Sequence, residues 1–327
     1  MNKQTSTGAL VLLLVWLAVP AWAQVKTRIN WTAVTGAQSG MFIAHQEGLF
    51  KKNGVDVELI HIPSSSRAIQ AILAGEIAFS FMDGNNEVQA NLKGANLALI
   101  AGATNRMVFS LMAKPEIRRI NDLKGKKVGI TRVGSSTHTA ALYALGQAGL
   151  KPADYQILPL MEVPNIFTAL AAGQIDAGVV SPPTNSRARK AGLNELMNLA
   201  KEGPEYVSVA VGASRSYIKA NEEIVRRVVR SYAEGVYVFK NNKPAALKMI
   251  QNQLKVKETD IQEDTYRQFR EYLEFPPYVS RKGIEAVMAD VAETNAAAKS
   301  AKADDFVDMR FVAELEKQGY FKKTAEK

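Results

Sequence analysis

The feature that most restricts what this 327-residue chain can fold into is a strand–loop–helix unit that returns at a fixed distance. Ala71-Ile72-Leu73-Ala74-Gly75-Glu76-Ile77 recurs 98 positions on as Ala169-Leu170-Ala171-Ala172-Gly173-Gln174-Ile175. At the same offset Gly36 falls on Gly134 and Asp83 falls on Ser181. Short matches between such units arise by chance, because glycine ends helices everywhere. Several landmarks agreeing on one offset argue instead for two lobes of like construction.

From residue 24 to about residue 214 the pattern alternates strand and helix, which predicts α/β layers. Strands are expected at 29–33, 55–62, 77–81, 127–131 and 156–160, with a helix at 41–52 that Asn53-Gly54 stops. Residues 108–113 and 207–211 are strand-like and bracket the second unit as crossovers. That predicts a second lobe (110–206) inserted in a first (24–109 and 207–327). The expected fold class is α/β, two-lobed, each lobe a mainly parallel sheet flanked by helices, with a helical C-terminal extension. In that extension Asn221 is placed to cap a helix with an apolar face of Val225, Val228, Tyr232, Val236 and Phe239. Further helices are expected at 257–273, 281–298 and 310–318, packed on the first lobe.

Residues 1–23 are read apart from the fold. A short polar start with Lys3 is followed by an apolar run at 9–19, then Pro20 and Ala21-Trp22-Ala23. This is the pattern of a secretory signal cleaved after Ala23. The run is too short to span a bilayer easily, which takes about 20 residues. The mature chain is therefore expected to be exported and soluble. Cysteine is absent, which removes disulfides, thiolate metal ligands, cysteine nucleophiles and lipid attachment through an N-terminal cysteine. An exported protein without that tether fits the periplasm of a Gram-negative cell.

Net charge is +9; Lys3 is the only charged residue before Gln24, which leaves +8 on the mature chain. The basic residues are scattered among acids and form no nucleic-acid stripe, so the charge supports only a mild bias towards anionic ligands. Three scattered histidines give little material for a metal cluster or a hydrolase triad. No Gly-x-Ser-x-Gly elbow, His-Glu-x-x-His helix or P-loop is present. Neither catalytic residue, metal nor cofactor is expected.

Open parallel sheets bind ligands beyond the carboxyl ends of their strands, where helix starts offer unpaired N–H groups and partial positive charge. The candidates from the first lobe are Gln38, Ser39, Ser64, Ser65, Asp83, Asn85 and Asn105. The second lobe adds Arg132, Gly134, Ser135, Ser136, Thr137, Asn165 and Ser181. Two facing sets with a hinge between them make a cleft that closes on its ligand. Each candidate also has a plainer role. Ser64, Ser135 and Asn165 serve equally as helix caps, contributing about 1 kcal/mol, and Arg132 as a surface arginine. As a ligand group, Arg132 is suited to a carboxylate or sulfonate. His138 is assigned to local packing or capping, and His45 and His61 to structure.

Four segments carry a family resemblance. They are Glu47-Gly48-Leu49-Phe50-Lys51-Lys52-Asn53-Gly54-Val55-Asp56-Val57-Glu58, residues 71–79, and Asp122-Leu123-Lys124-Gly125-Lys126-Lys127-Val128-Gly129 with Gly134-Ser135-Ser136-Thr137-His138. The fourth is residues 169–177 ending in Ser181-Pro182-Pro183. The chain resembles, over about residues 29–218, the importer-linked binding proteins that serve nitrate, taurine, alkanesulfonates and thiamine precursors. The resemblance implies a type II-like periplasmic binding protein that holds a small organic solute between its lobes. It also implies an inner-membrane ABC permease as partner and action as a monomer. The 134–138 segment is similar to the sulfonate-binding branch, whereas residues 81–86 follow no single ligand's pattern, and Asp83 suits a ligand amine as well. The ligand, anionic or zwitterionic, stays open. A receptor feeding a sensory kinase or another transporter class uses the same architecture. The family's thiamine-pyrimidine enzymes rely on a cysteine-rich segment that this chain lacks.

Overall fold

The computed structural model describes residues 25–325, so the expected export signal and its expected cleavage after Ala23 lie outside the described residues. The chain begins with β1 (Val25–Trp31), α1 (Ser39–Gln46), α2 (Leu49–Lys52), β2 (Val55–His61), α3 (Ser65–Leu73), β3 (Phe79–Met82), α4 (Gly84–Asn91) and β4 (Leu97–Arg106). It then crosses to β5 (Ser110–Ala113), β6 (Lys127–Ile130), α5 (Ser136–Gln147), β7 (Gln156–Pro159), α6 (Val163–Ala171), β8 (Ala177–Val180), α7 (Thr184–Lys190), β9 (Asn194–Asn198) and α8 (Leu199–Glu202). It returns on β10 (Glu205–Ser214) and ends in α9 (Arg215–Ala220), α10 (Glu222–Asn241), α11 (Lys243–Gln253), α12 (Thr259–Tyr272), α13 (Arg281–Ala292), α14 (Arg310–Lys317) and α15 (Tyr320–Ala325).

The strands form two five-stranded sheets, ordered β2-β1-β3-β10-β4 and β7-β6-β8-β5-β9. In the first, β1 runs parallel to β2 and β3, and β10 is antiparallel to β3 and β4. In the second, β6 runs parallel to β7 and β8, and β5 is antiparallel to β8 and β9. Each sheet is thus parallel but for one strand, and that strand is the first the chain forms after crossing between sheets. The repeat read from the sequence is this correspondence: α3 matches α6, and the loop after β3 matches the loop after β8. Gly75 and Gly173 close the two matched helices at φ 76 and 73, a left-handed turn that glycine enters without steric cost.

Several elements differ from the sequence expectation. The helix expected at 41–52 is two, because Gly48 turns left-handed at φ 67 between α1 and α2. Asn105, expected in a strand-end loop, lies inside β4. Asn221 precedes α10 without a side-chain cap; its amide donates back to the Tyr217 carbonyl (3.1 Å). The five apolar residues named for α10 are all buried, in a core shared with α1, α11 and α12. The extension does more than pack on the first sheet. Arg187, Arg189 and Lys190 of α7 pair with Glu258, Asp264 and Asp260 at or on α12, at 3.3, 2.7 and 2.6 Å.

Glu87 on α4 is fully buried; it accepts from the Asn91 amide (2.6 Å), and its second oxygen has no partner. Burial drives its carboxyl well above the ordinary 4.5, and the charge of Arg215 pulls the other way. With the folded value raised, the native state holds a proton that the unfolded state releases above pH 4.5, so this group's stabilisation fades as pH rises. Glu87→Gln is expected to match the wild type near pH 4.5 and to grow relatively more stable towards pH 8. Urea unfolding across that range measures it, and two parallel curves would contradict it.

Candidate functional site

The carboxyl ends of the parallel strands in both sheets open onto one cleft of about 270 Å³. That is close to the small end of the usual range for small-molecule sites, about 300–1,000 Å³. From the first lobe come the loop after β1 (Thr32–Gln38), His61 and Pro63 to Ser66 after β2, and Met82, Asp83, Asn86 and Gln89 after β3. The second lobe supplies residues 131–137 after β6, residues 161–164 after β7, and Ser181 after β8. Val108, Phe109, Ser208 and Val209 line it where the chain crosses between sheets.

Ten of the fourteen residues proposed from the sequence line this cleft: Gln38, Ser64, Ser65, Asp83, Arg132, Gly134, Ser135, Ser136, Thr137 and Ser181. Several are occupied in shaping their own loops. Gln38 grips Thr32, donating from Nε2 to Oγ1 (3.0 Å) and accepting from the Thr32 N–H (3.2 Å). The Ser65 hydroxyl accepts from the Asp83 N–H (3.1 Å). Buried Asp83 caps α4 and also accepts from the Asn86 amide (2.9 and 3.0 Å). Ser135 caps α5 and donates to the Arg132 carbonyl (2.7 Å), and the Thr137 hydroxyl accepts from the Thr131 N–H (2.9 Å). His138 behaves locally as expected, accepting from the Gly134 N–H (3.2 Å).

Four of the proposed residues lie outside the lining. Ser39 is the first residue of α1 and is fully buried, its hydroxyl unpartnered. Asn85 donates to Asp290 Oδ2 (2.9 Å), which the Tyr206 hydroxyl also reaches (2.9 Å). Successive helical residues point about 100° apart, so Asn86, not Asn85, faces the cleft. Asn105 pins the C-terminal extension, donating to the Tyr278 carbonyl (2.9 Å) and accepting from the Ser280 N–H (3.0 Å). Asn165 folds back from α6 onto the Leu160 carbonyl (3.0 Å). Sequence reasoning also passed over Asn86, His61, Glu162 and Ser208. The Asn86 amide donates to the Gly134 carbonyl (3.1 Å), a direct bond between the facing lobes. His61, assigned to structure, lies in the cleft wall.

Several lining groups take no side-chain hydrogen bond or ion pair among the described residues, the Glu162 carboxylate and the Ser136 hydroxyl among them, together with groups suited to an acid. Arg132 is the one Lys or Arg among the lining residues, and its guanidinium has no partner among the described residues. Ser181 and Ser208 are buried residues, and neither hydroxyl takes a hydrogen bond among the described residues. The N-terminus of α3 has no side-chain cap, because Ser64 sits at φ 83 and turns its hydroxyl to Ser66 (2.8 Å). The N–H groups of the first turn of α3 therefore lack a side-chain acceptor. Strain of this kind, about 1–3 kcal/mol, persists where the surrounding structure enforces it. Partial shielding from solvent lowers the imidazole pKa of His61 from its ordinary 6.5, with the charge of Glu162 pulling it back up. Among the described residues no cluster of His, Asp and Glu could hold a metal, and no helix is long and apolar enough to cross a membrane.

A family model described as "NMT1/THI5 like" matches residues 37–246. A Brucella abortus protein named as a binding protein is 28% identical over 234 residues, covering 69% of this chain and 71% of the relative. A solved structure from Bordetella bronchiseptica superposes with a TM-score of 0.81 at 19% identity, over 91% of this chain and 99% of that one. The alkanesulfonate-binding protein of Xanthomonas axonopodis pv. citri, solved with MOPS bound, superposes at 0.70 with 21% identity, over 84% and 93%. The two-lobed architecture is shared along almost the whole chain.

Proposed function

This chain belongs to the NMT1/THI5-like family, and from that membership we propose that it captures a small organic acid in its cleft and delivers it to an ABC importer. It acts in the periplasm after losing residues 1–23, binds without transforming, and hands its ligand to an inner-membrane permease. The observation that carries the acid reading is that a partnerless guanidinium, Arg132, and the uncapped N-terminus of α3 border the same cavity. A carboxylate or sulfonate satisfies both, by charge-assisted hydrogen bonds and by the helix-end N–H groups. Ser181 and Ser208 offer further hydrogen bonds deeper in the cleft. The Asn86–Gly134 bond ties the lobes across the mouth and favours the closed state that a bound ligand selects.

Thermal unfolding in the presence of sulfonates, carboxylates, nitrate and pyrimidines tests this. A matching acid at 100 times its dissociation constant stabilises the fold by about 2.7 kcal/mol, a rise of roughly 5 °C for a chain of this size. Arg132→Gln is expected to weaken that acid about 10- to 100-fold, the loss of a charge-assisted pair worth about 1.5–3 kcal/mol. The acid should be recovered chemically unchanged. No shift with any acid, or an equal shift in Arg132→Gln, would remove the acid reading.

A further inference from the structure

His61 is the outer layer of an aromatic stack built by strand register. Trp31 and His61 are paired residues at the ends of the parallel strands β1 and β2. Their rings lie 3.8 Å apart and within 16° of parallel. Behind them, Phe42 meets the Trp31 ring edge-on at 5.6 Å. Trp31 thus fixes one face of the imidazole, while His61 itself is exposed and lines the cleft. Met161 and Pro164 of the second lobe line the same cleft, with Met161 held left-handed at φ 72 and 52% exposed. Glu162 between them is near enough for its charge to act on His61.

A flat shelf in a cleft that also carries a thioether and a proline ring is suited to a planar π-system, because aromatic faces and sulfur both favour such contacts. The uncapped start of α3 follows His61 on the same loop, so an acid group held there leaves its substituent beside the shelf. We propose that the cleft selects planar aromatic acids, with the ring laid on His61 and the acid group at the start of α3 and Arg132. This rests on the acid-binding reading above and narrows it.

Calorimetric titration of the full chain with benzenesulfonate, cyclohexanesulfonate and hexane-1-sulfonate tests the proposal. Tryptophan emission of the chain from Gln24 onward gives a second readout, since Trp16 and Trp22 are then gone and Trp31 remains. Benzenesulfonate is expected to bind about 3- to 10-fold more tightly than its saturated analogue. His61→Ala should erase that ratio, costing benzenesulfonate more affinity than cyclohexanesulfonate, and His61→Phe should retain it. Equal binding of the two rings by the wild type overturns the proposal, as does an equal loss of both in His61→Ala. Saturated sulfonates that bind while benzenesulfonate does not would reject the aromatic preference and leave the acid reading standing. Failure of all three acids, in a protein shown to be folded, would reject both.

Discussion

Replacing Gly235 by alanine should lower the unfolding free energy by about 3 kcal/mol, although alanine has about 1 kcal/mol more helix propensity than glycine. In α10 the backbone at Gly235 rests on the backbone of α1. A Cβ at this position would overlap the Gly40 carbonyl oxygen and lie 3.0 Å from both the nitrogen and the Cβ of Ala44. The crossing is tight from the other side as well, since a Cβ on Gly40 would come within 2.7 Å of the Tyr232 ring. Overpacking costs about 1–3 kcal/mol where side chains can shift. Here the obstacle is backbone, so the helices must separate and open the core they share. Gly146 near the end of α5 provides the control. A Cβ there meets nothing within 4 Å, so Gly146→Ala is expected to be neutral or stabilising by up to about 1 kcal/mol. Denaturant unfolding of both variants without ligand checks the pair, and a Gly235→Ala protein as stable as the wild type would refute the account.

The second large effect is expected at Asp264, where the C-terminal extension meets the second lobe. Its carboxylate accepts from Arg189 (2.7 Å), Ser186 (2.5 Å) and Gln268 (2.9 Å), and pairs with Arg267. Gln268 continues the network by accepting from Asn185, which also donates to Ser110 (both 3.1 Å). Burial works to raise the Asp264 carboxyl, but hydrogen bonds from Ser186 and Arg267 and the charge of Arg189 outweigh it and hold it below the ordinary 3.8. Asp264→Ala leaves Ser186 and Gln268 without their carboxylate acceptor and takes one of its two carboxylates from Arg189, which keeps Glu195 (3.1 Å), a loss expected to cost about 2–3 kcal/mol at neutral pH. Because the folded value is depressed, this stabilisation is complete above pH 3.8 and disappears as pH falls through the folded value. Wild type and variant should therefore converge in acid. The outer pairs, Lys190–Asp260 and Arg187–Glu258, are more exposed and are expected to contribute less than about 1 kcal/mol each. A variant as stable as the wild type at pH 7 would show that the extension does not hold the second lobe.

The doubled architecture was legible because it rests on local chemistry. A glycine that turns left-handed after an apolar helix and before an apolar strand leaves the same residue pattern in each lobe. What escaped was set by tertiary contact. β4 is buried along its length from Leu97 to Asn105 and shows no alternation, so its run of Leu, Ala and Ile carries no period that marks a strand. Asn85 and Asn86 are chemically identical, and only the packing of α13 against α4 decides which one turns to the cleft. The bridge from α7 to α12 joins residues more than 60 positions apart, beyond the reach of any local pattern. The hydroxyl-rich loops were found, yet many of their hydroxyls hold the loops in shape. The groups left free are fewer and include Ser208, on a strand where no loop motif would have pointed to it.

The place of β10 between β3 and β4 also sets an order of assembly. The five strands of the second sheet come from one uninterrupted stretch, residues 110–198, and each finds its neighbours within about ninety positions. The first sheet cannot join β4 to β3 until the chain has gone out and come back with β10, more than a hundred positions after β3. Closing so long a loop carries an entropic cost that local pairings avoid. As the polypeptide emerges, the inserted half has the means to fold first, and the half that contains the N-terminal strand waits for β10.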